Sequence, residues 1–318
     1  MAQNSPSYFP SHALDHAAAG LSAGVVAVLC MHPLDLLKVK FQVARTNPTA
    51  GAGRQIIESL RGIQKSEGWT GLYRGVGPNM AGNAASWGLY FLFYNMLKKR
   101  ALDGGDPNSP LSTSEYLLFS AEASAVTAIL TNPIWVVKVR MFTTTPDSPT
   151  AYRNLWHGLH SIARTEGFSG LFKGTSLALF GVSNGALQFT AYEHLKTWGF
   201  ERRRRKLMES GAPAPGKDDK LSNTAYTVMS GVSKLWALTL TYPYQVVRSR
   251  LQNNATTHLY PTIGATIKRT WAEEGTKGFY RGLGTNLVRV LPGTCVTFVV
   301  YENLAWLLRT TAAKRAES

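Results

Sequence analysis

Apolar and small residues gather into long stretches that come in pairs along the chain. ALDHAAAGLSAGVVAVLCM (13–31) and EYLLFSAEASAVTAILT (115–131) each open a unit, and NMAGNAASWGLYFLFYNML (79–97), LALFGVSNGALQFTAYEHL (177–195) and NLVRVLPGTCVTFVVYENL (286–304) each close one. None alternates with a period of two, so each predicts a helix, and their length and low charge predict membrane spans. Gly20 and Gly24 in the first stretch have the small-residue spacing of close helix packing in lipid. Two spans per unit and three units predict six spans in all. Between the spans of a unit the pattern changes: AGRQIIESLRGIQKSEG (52–68) is polar, with apolar residues at helical spacing. It predicts an amphipathic helix lying at a membrane surface.

Two motifs carry the threefold repetition. HPLDLLKVKFQ (32–42), NPIWVVKVRMF (132–142) and YPYQVVRSRLQ (242–252) share a proline, an inward candidate two residues on, and bases five and seven on. Each is followed by acid, Gly, four variable residues, aromatic, base, Gly: EGWTGLYRG (67–75), EGFSGLFKG (166–174) and EGTKGFYRG (274–282). A repeat of about 100 residues is too long for a solenoid, so each unit is a small bundle element. The units fall at 12–105, 111–200 and 221–310, with a polar, basic linker over 201–220.

Charge then adds sidedness. Segments 38–75, 138–174 and 248–282 hold 7, 5 and 6 Lys/Arg against 2 Asp/Glu each, so one membrane face is strongly basic. The net charge of +15 favours an acidic partner. The high pI alone also suggests a soluble basic nucleic-acid binder, a disfavoured reading that predicts extraction by salt rather than by detergent. The RRRRK run at 202–206 lies in the linker and reads as a solvated loop on the opposite face. Cys30 and Cys295 stand far apart in apolar stretches and read as buried small residues. The start, MAQNSPSYFPSH, has neither an apolar core nor an Arg, so internal targeting is expected. The histidines lack metal-ligand spacing and no nucleophile, base and acid line up, so neither a metal, a cofactor nor an enzyme activity is expected.

In triplicate, these motifs resemble the signature of the mitochondrial carrier family over essentially the whole chain. The resemblance implies an all-α membrane protein: six transmembrane helices in three pseudo-symmetric repeats, with short amphipathic helices on the matrix side. It also implies a functional monomer in the mitochondrial inner membrane, with both termini toward the intermembrane space. SWGLYFLFYN (86–95), NPIWVVKVRM (132–141), GALQFTAYE (185–193) and TYPYQVVRSRLQ (241–252) look most like the FAD and folate carriers of that family. Pyrimidine-nucleotide and NAD carriers are the alternative. An uncoupler-like leak fits the membrane and the charge, but not a cavity carrying Trp135 and Arg289.

Pro33, Pro133 and Pro243 are expected to kink the odd-numbered spans and draw their ends together. The gate positions that follow are Asp35 with Lys38, Trp135 with Lys138, and Gln245 with Arg248. The family's order would pair Asp35 with Lys138, Trp135 with Arg248 through a cation–π contact, and Gln245 with Lys38. One ion pair among three bases leaves a net-positive floor suited to an anionic phosphate, with an indole able to stack on a flat ring. Gln42 and Gln252 would brace this matrix gate, and Phe142 could not. The opposite, outer gate would consist of Asn95 with Lys98, Glu193 with Lys196, and Glu302 without a base.

Substrate contacts are expected at Lys234, which shares the face of Gln245, and at Arg289, which matches a family contact position. Asn83, Asn184 and Gln188 match positions lining the family's cavity, and Trp135 completes the set. Glu122, well off the gate face, is expected to bond a neighbouring helix. Gly75, Gly174 and Gly282 would start short helix ends whose N–H groups hold cardiolipin phosphates. The expected cargo is FAD or a folate-like anion, moved by alternating access.

Overall fold

A computed structural model describes residues 8–9, 12–44, 52–104, 111–145, 147–148, 151–210, 221–253, 256 and 259–317. Among them are ten helices and no strand: α1 (His12–Val43), α2 (Ala52–Leu72), α3 (Val76–Gly104), α4 (Thr113–Thr143), α5 (Leu155–Leu171), α6 (Thr175–Phe180), α7 (Ser183–Glu209), α8 (Asn223–Gln252), α9 (Ile263–Gly278) and α10 (Leu283–Glu317). Six spans follow, at α1, α3, α4, α6 with α7, α8 and α10. The surface helices α2, α5 and α9 lie where the amphipathic segments were expected.

Local chemistry sets several helix starts. Ser112 and Glu115 form a reciprocal capping box at α4, with Ser112 N–H donating to Glu115 Oε2 at 2.7 Å. Asn154, Ser222 and Thr262 accept from backbone N–H groups at the starts of α5, α8 and α9. The fourth span is not continuous. Around Gly181, Val182 N–H bonds to Leu179 O and Asn184 N–H to Gly181 O, a tighter i to i+3 pattern that separates α6 from α7. A Cβ on Gly181 would lie 2.6 Å from Tyr244 Oη and 3.0 Å from Ala178 O, so a larger residue at this break would push the Tyr244 ring aside.

The spans form a closed ring. α1 packs along α10, α3 along α4 and α7 along α8, and the pairs α1/α3, α4/α6 and α8/α10 complete the circle. In addition α1, α4 and α8 touch one another across the ring. Their buried residues gather after the prolines, as in Leu36, Leu37, Val136, Val137, Val246 and Val247, so the ring is shut at that end. Pro33, Pro133 and Pro243 each lie inside a helix that runs through them unbroken.

The outer surface is apolar: Leu117, Leu130, Val228, Trp236 and Leu307 are exposed. In an aqueous protein such a surface would mark an interface; around a ring of spans it faces lipid. Only three stretches among the described residues, Ala18–Val43, Ser114–Thr143 and Leu283–Ala312, are apolar enough over a full window to cross a membrane on composition alone. The other spans carry more polar residues because one side of each faces the central cavity.

Three sequence expectations need correction. Cys30 and Cys295 are exposed, not buried, because their helix faces look outward. Residues 201–209, read as linker, are the last turns of α7, and Arg202 lies 5.3 Å from the Trp198 ring; residues 211–220 lie outside the described residues. Glu122 is exposed and makes no interhelical bond among the described residues.

The two repeated motifs meet each other in space. The base seven residues after each proline binds the acid of the second motif: Lys40 to Glu67 at 3.3 Å, Arg140 to Glu166 through both guanidinium nitrogens, and Arg250 to Glu274 at 2.7 and 2.9 Å. Burial would raise the Glu166 carboxyl, yet the hydrogen bonds from Arg140 and Lys173 outweigh it and hold it at about 2. The residue before each proline binds the corner that follows the surface helix. His32 Nε2 lies 3.0 Å from Arg74 O, Asn132 Nδ2 donates to Lys173 O at 3.3 Å, and Tyr242 Oη donates to Arg281 O at 2.9 Å. All three are buried.

At each corner a glycine adopts positive φ, and at Gly282 the nearest neighbour is backbone, which cannot move aside as a side chain can. Its φ is +78°, and a Cβ there would stand 2.9 Å from Lys38 O and 3.0 Å from Tyr242 Oη. Gly282→Ala is expected to destabilise the fold by about 1–3 kcal/mol through backbone strain, read as a lowered thermal midpoint in detergent. An unchanged midpoint would contradict this account of the corner.

Candidate functional site: a cavity with a basic floor

The closed end of the ring is the floor of a central cavity open toward the other end. Five charged residues line the floor: Asp35, Lys38, Lys138, Arg248 and Arg289. Four cations against one carboxylate agree with the net-positive floor read from the sequence, but the partners differ from those expected. Lys38 Nζ donates to Gln245 Oε1 at 3.1 Å, as anticipated. Asp35, expected to meet Lys138, instead pairs with Arg289 at 2.9 Å and accepts from Asn79 Nδ2 at 3.3 Å. Arg289 enters from α10, where its fork reaches the carboxylate first.

Trp135 does not meet Arg248. Its indole N–H donates to Thr131 Oγ1 at 3.2 Å, which ties the ring to its own helix, and Lys138 Nζ sits 4.7 Å from its centroid. Residues 135 and 138 are i,i+3 neighbours, so that contact forms within α4. Arg248 is drawn aside by Asn132, donating to its Oδ1 at 3.1 Å. The indole also packs on α3: a Cβ on Gly82 would approach its ring to 3.2 Å.

Below the floor, the glutamines expected to brace the gate hold other partners. Gln42 donates to Tyr242 Oη at 3.1 Å and accepts from Ser249 Oγ at 2.7 Å, while Gln252 donates to Lys173 O at 2.9 Å. Gln42 ties α1 to α8 and Gln252 ties α8 to the corner after α5, and neither bridges a gate pair. Phe142 fills the third position, fully buried, with Lys138 Nζ 5.2 Å above its ring. Arg250 Nε and Arg140 Nε donate to Gln42 O and Gln252 O, cations at helix C-termini that join one repeat to the next.

Above the floor, Asn83, Asn184, Gln188, Lys234 and Arg289 line one cavity of about 630 Å3. Asn83 spends its amide nitrogen on Asn79 and Asn184 spends its own on Thr241 Oγ1 at 2.6 Å, so neither nitrogen is free for a solute. Lys234 is exposed to the cavity. Sequence reading missed Asn79, Asn132 and Asn286, all buried; Asn286 lies 3.5 Å from Arg289. A signal existed: Asn79 and Asn286 each stand four residues after the motif glycine, with Ala178 in the second repeat.

At the open end, the expected gate residues Asn95, Lys98, Glu193, Lys196 and Glu302 form no ion pair between spans among the described residues. Glu193 and Lys196 pair on their own helix at 3.5 Å, and Lys98 sits 5.6 Å from the Tyr116 ring. Asn95 and Glu302 are exposed. Gly75, Gly174 and Gly282 stand immediately before α3, α6 and α10, with φ of 74°, 75° and 78°.

The comparisons agree with this architecture. The family description "Mitochondrial carrier protein" matches residues 9–104, 109–203 and 219–311, one match per repeat. The chain is 39% identical over 307 residues to the mitochondrial FAD carrier protein FLX1 of Saccharomyces cerevisiae, covering 90% of this chain and 94% of the relative. It is 39% identical to the chloroplastic folate transporter 1 of Arabidopsis thaliana, covering 93% and 96%. The chloroplastic nicotinamide adenine dinucleotide transporter 1 of the same plant is 36% identical, covering 95% and 94%. With three matched repeats, a ring of six spans and the paired motifs at its closed end, the chain belongs to the mitochondrial carrier family.

Proposed function

We propose that this carrier moves FAD, or a related flavin or folate-type anion, across the mitochondrial inner membrane by alternating access. The observation that carries the reading is the floor: four cations, one carboxylate and the Trp135 indole at the bottom of an open cavity. Surplus positive charge attracts a phosphate or carboxylate, and the indole offers a face for a flat ring. The FAD and folate relatives support the same class of cargo.

On this reading the cavity opens to the intermembrane space, where both termini lie. Lys98, Glu193 and Lys196 would meet across the ring, with Asn95 and Glu302, when the outer side closes. The protein works as a monomer, and cardiolipin phosphates sit at Gly75, Gly174 and Gly282. The assignment includes no catalytic step, metal, cofactor or nucleic acid.

Purified protein in liposomes is expected to take up labelled FAD with saturation. Absent FAD uptake with brisk NAD or UTP transport would move the assignment to the NAD or pyrimidine-nucleotide reading, for which the NAD relative speaks. Trp135→Asp should weaken FAD transport about tenfold, by losing a stacking face worth roughly 1–3 kcal/mol and supplying a carboxylate beside Lys138. Unchanged FAD kinetics in this variant would remove Trp135 from the site.

A further inference from the structure

The cavity has a second lobe whose chemistry differs from the first. The basic lobe lies between α1, α8 and α10 and holds Lys38, Lys234 and Arg289 in about 630 Å3. Across the axis, α3 and α4 wall a lobe of about 440 Å3 that includes Trp87, Tyr90, Ser124 and Thr127. Trp135 and Arg248 line this lobe and also the floor, as Asp35, Lys38 and Arg289 line the basic lobe and the floor, so both lobes border the floor. Each volume is of the size that holds a drug-sized group, on the order of 300–1,000 Å3.

The second lobe favours a ring over an anion. Arg248 is the one charged side chain among its described lining residues. Its aromatic rings are ordered by their neighbours: Trp87 stacks on Phe91 at 5.7 Å and Tyr90 on Tyr94 at 5.9 Å, with Tyr90 Oη 2.9 Å from Ser120 Oγ. Fixed rings lose little entropy when a flat solute stacks on them. Two polar atoms on its wall, Thr127 Oγ1 and Arg248 Nε, are buried without a hydrogen-bond partner. Such atoms call for an explanation; both are closed to the lobe as they stand, and a rotation of the Thr127 side chain on binding would bring its hydroxyl to the heteroatoms of a ring in the lobe.

We propose that the α3–α4 lobe is the subsite for the flat heteroaromatic ring of the cargo, while the α8–α10 lobe takes its anionic end. The carrier then selects long anions whose ring stands well apart from their phosphates or carboxylates, and discriminates against mononucleotides that fill one lobe alone. Occupying both lobes ties α3 and α4 to α8 and α10 through a single molecule. This deepens the flavin reading and rests on it for the identity of the ring.

The test uses the full chain in liposomes, with riboflavin as a ring-only competitor and inorganic pyrophosphate as an anion-only competitor. Trp87→Ala and Thr127→Leu are each expected to raise the half-saturating FAD concentration about tenfold and to abolish inhibition by riboflavin, leaving inhibition by pyrophosphate intact. Arg289→Ala should do the converse. Thr127→Val keeps the shape of the side chain and guards against a folding defect; a few-fold rise in half-saturating FAD is expected, with an unchanged thermal midpoint. FAD saturation and riboflavin inhibition that are unchanged in both lobe variants would overturn the subsite. A wild type that carries NAD and not FAD would defeat the flavin reading separately. The lobe is then judged by the same variants with nicotinamide riboside as competitor, retained inhibition overturning it and lost inhibition supporting it.

Discussion

Arg289→Ala is expected to lower FAD uptake at subsaturating substrate about 30-fold or more, the largest functional loss of any single substitution in the cavity. Arg289 lines both the floor and the basic lobe, and it holds Asp35 at 2.9 Å. Truncating one partner of such a hydrogen-bonded charge pair costs about 2–5 kcal/mol, and each 1.4 kcal/mol is about tenfold. Arg289→Lys should recover part of the loss, because it restores the charge but not the planar fork. Initial rates across a range of FAD concentrations check both. If the guanidinium binds cargo, the alanine variant shifts the half-saturation point; if it only anchors Asp35, Asp35→Asn alone reproduces the whole effect. Unchanged rates in Arg289→Ala would remove the residue from the transport path.

The largest expected loss of stability lies outside the cavity, at Glu274. Its carboxylate sits between the fully buried Arg250 and the nearly buried Arg281. Glu274→Gln leaves two guanidinium groups without their counter-charge, and breaking a buried pair in this way costs about 3–5 kcal/mol. The equivalent acid of the first repeat, Glu67, meets Lys40, whose side chain is 25% exposed. Glu67→Gln should therefore cost about 1 kcal/mol or less. Thermal unfolding in detergent compares them directly, and equal shifts would refute the burial argument. The three repeats share one motif, yet by this measure they do not share one energy.

Much of this was legible along the chain because the motifs occur three times. Proline, bases at five and seven, acid, Gly, aromatic and base recur at a fixed distance, which is enough to place six spans and three surface helices in three units and a basic end on the ring; the break between α6 and α7 was not legible. Asn83, Asn184, Gln188, Lys234 and Arg289 could be set on one cavity by helical spacing and resemblance, and they line one cavity in the structure. The partners were harder to read. Pairing by repeat order treats the floor as symmetric, whereas Arg289 comes from an even-numbered span and competes for Asp35. Trp135 satisfies its N–H on Thr131, four residues back on its own helix, and that contact depends on a rotamer rather than a spacing.

The sequence by itself determined the class of protein, its three units, the sidedness of its charge and the excess of cations at the closed end. These follow from periodicity and counting, which survive any choice of side-chain conformation. The tertiary structure alone decided which cation holds Asp35, why the residue before each proline is polar, and that the cavity divides into a basic lobe and an aromatic one. Those depend on groups from different spans converging within 3 or 4 Å, a distance at which the ring's packing, not local order along the chain, selects the partner.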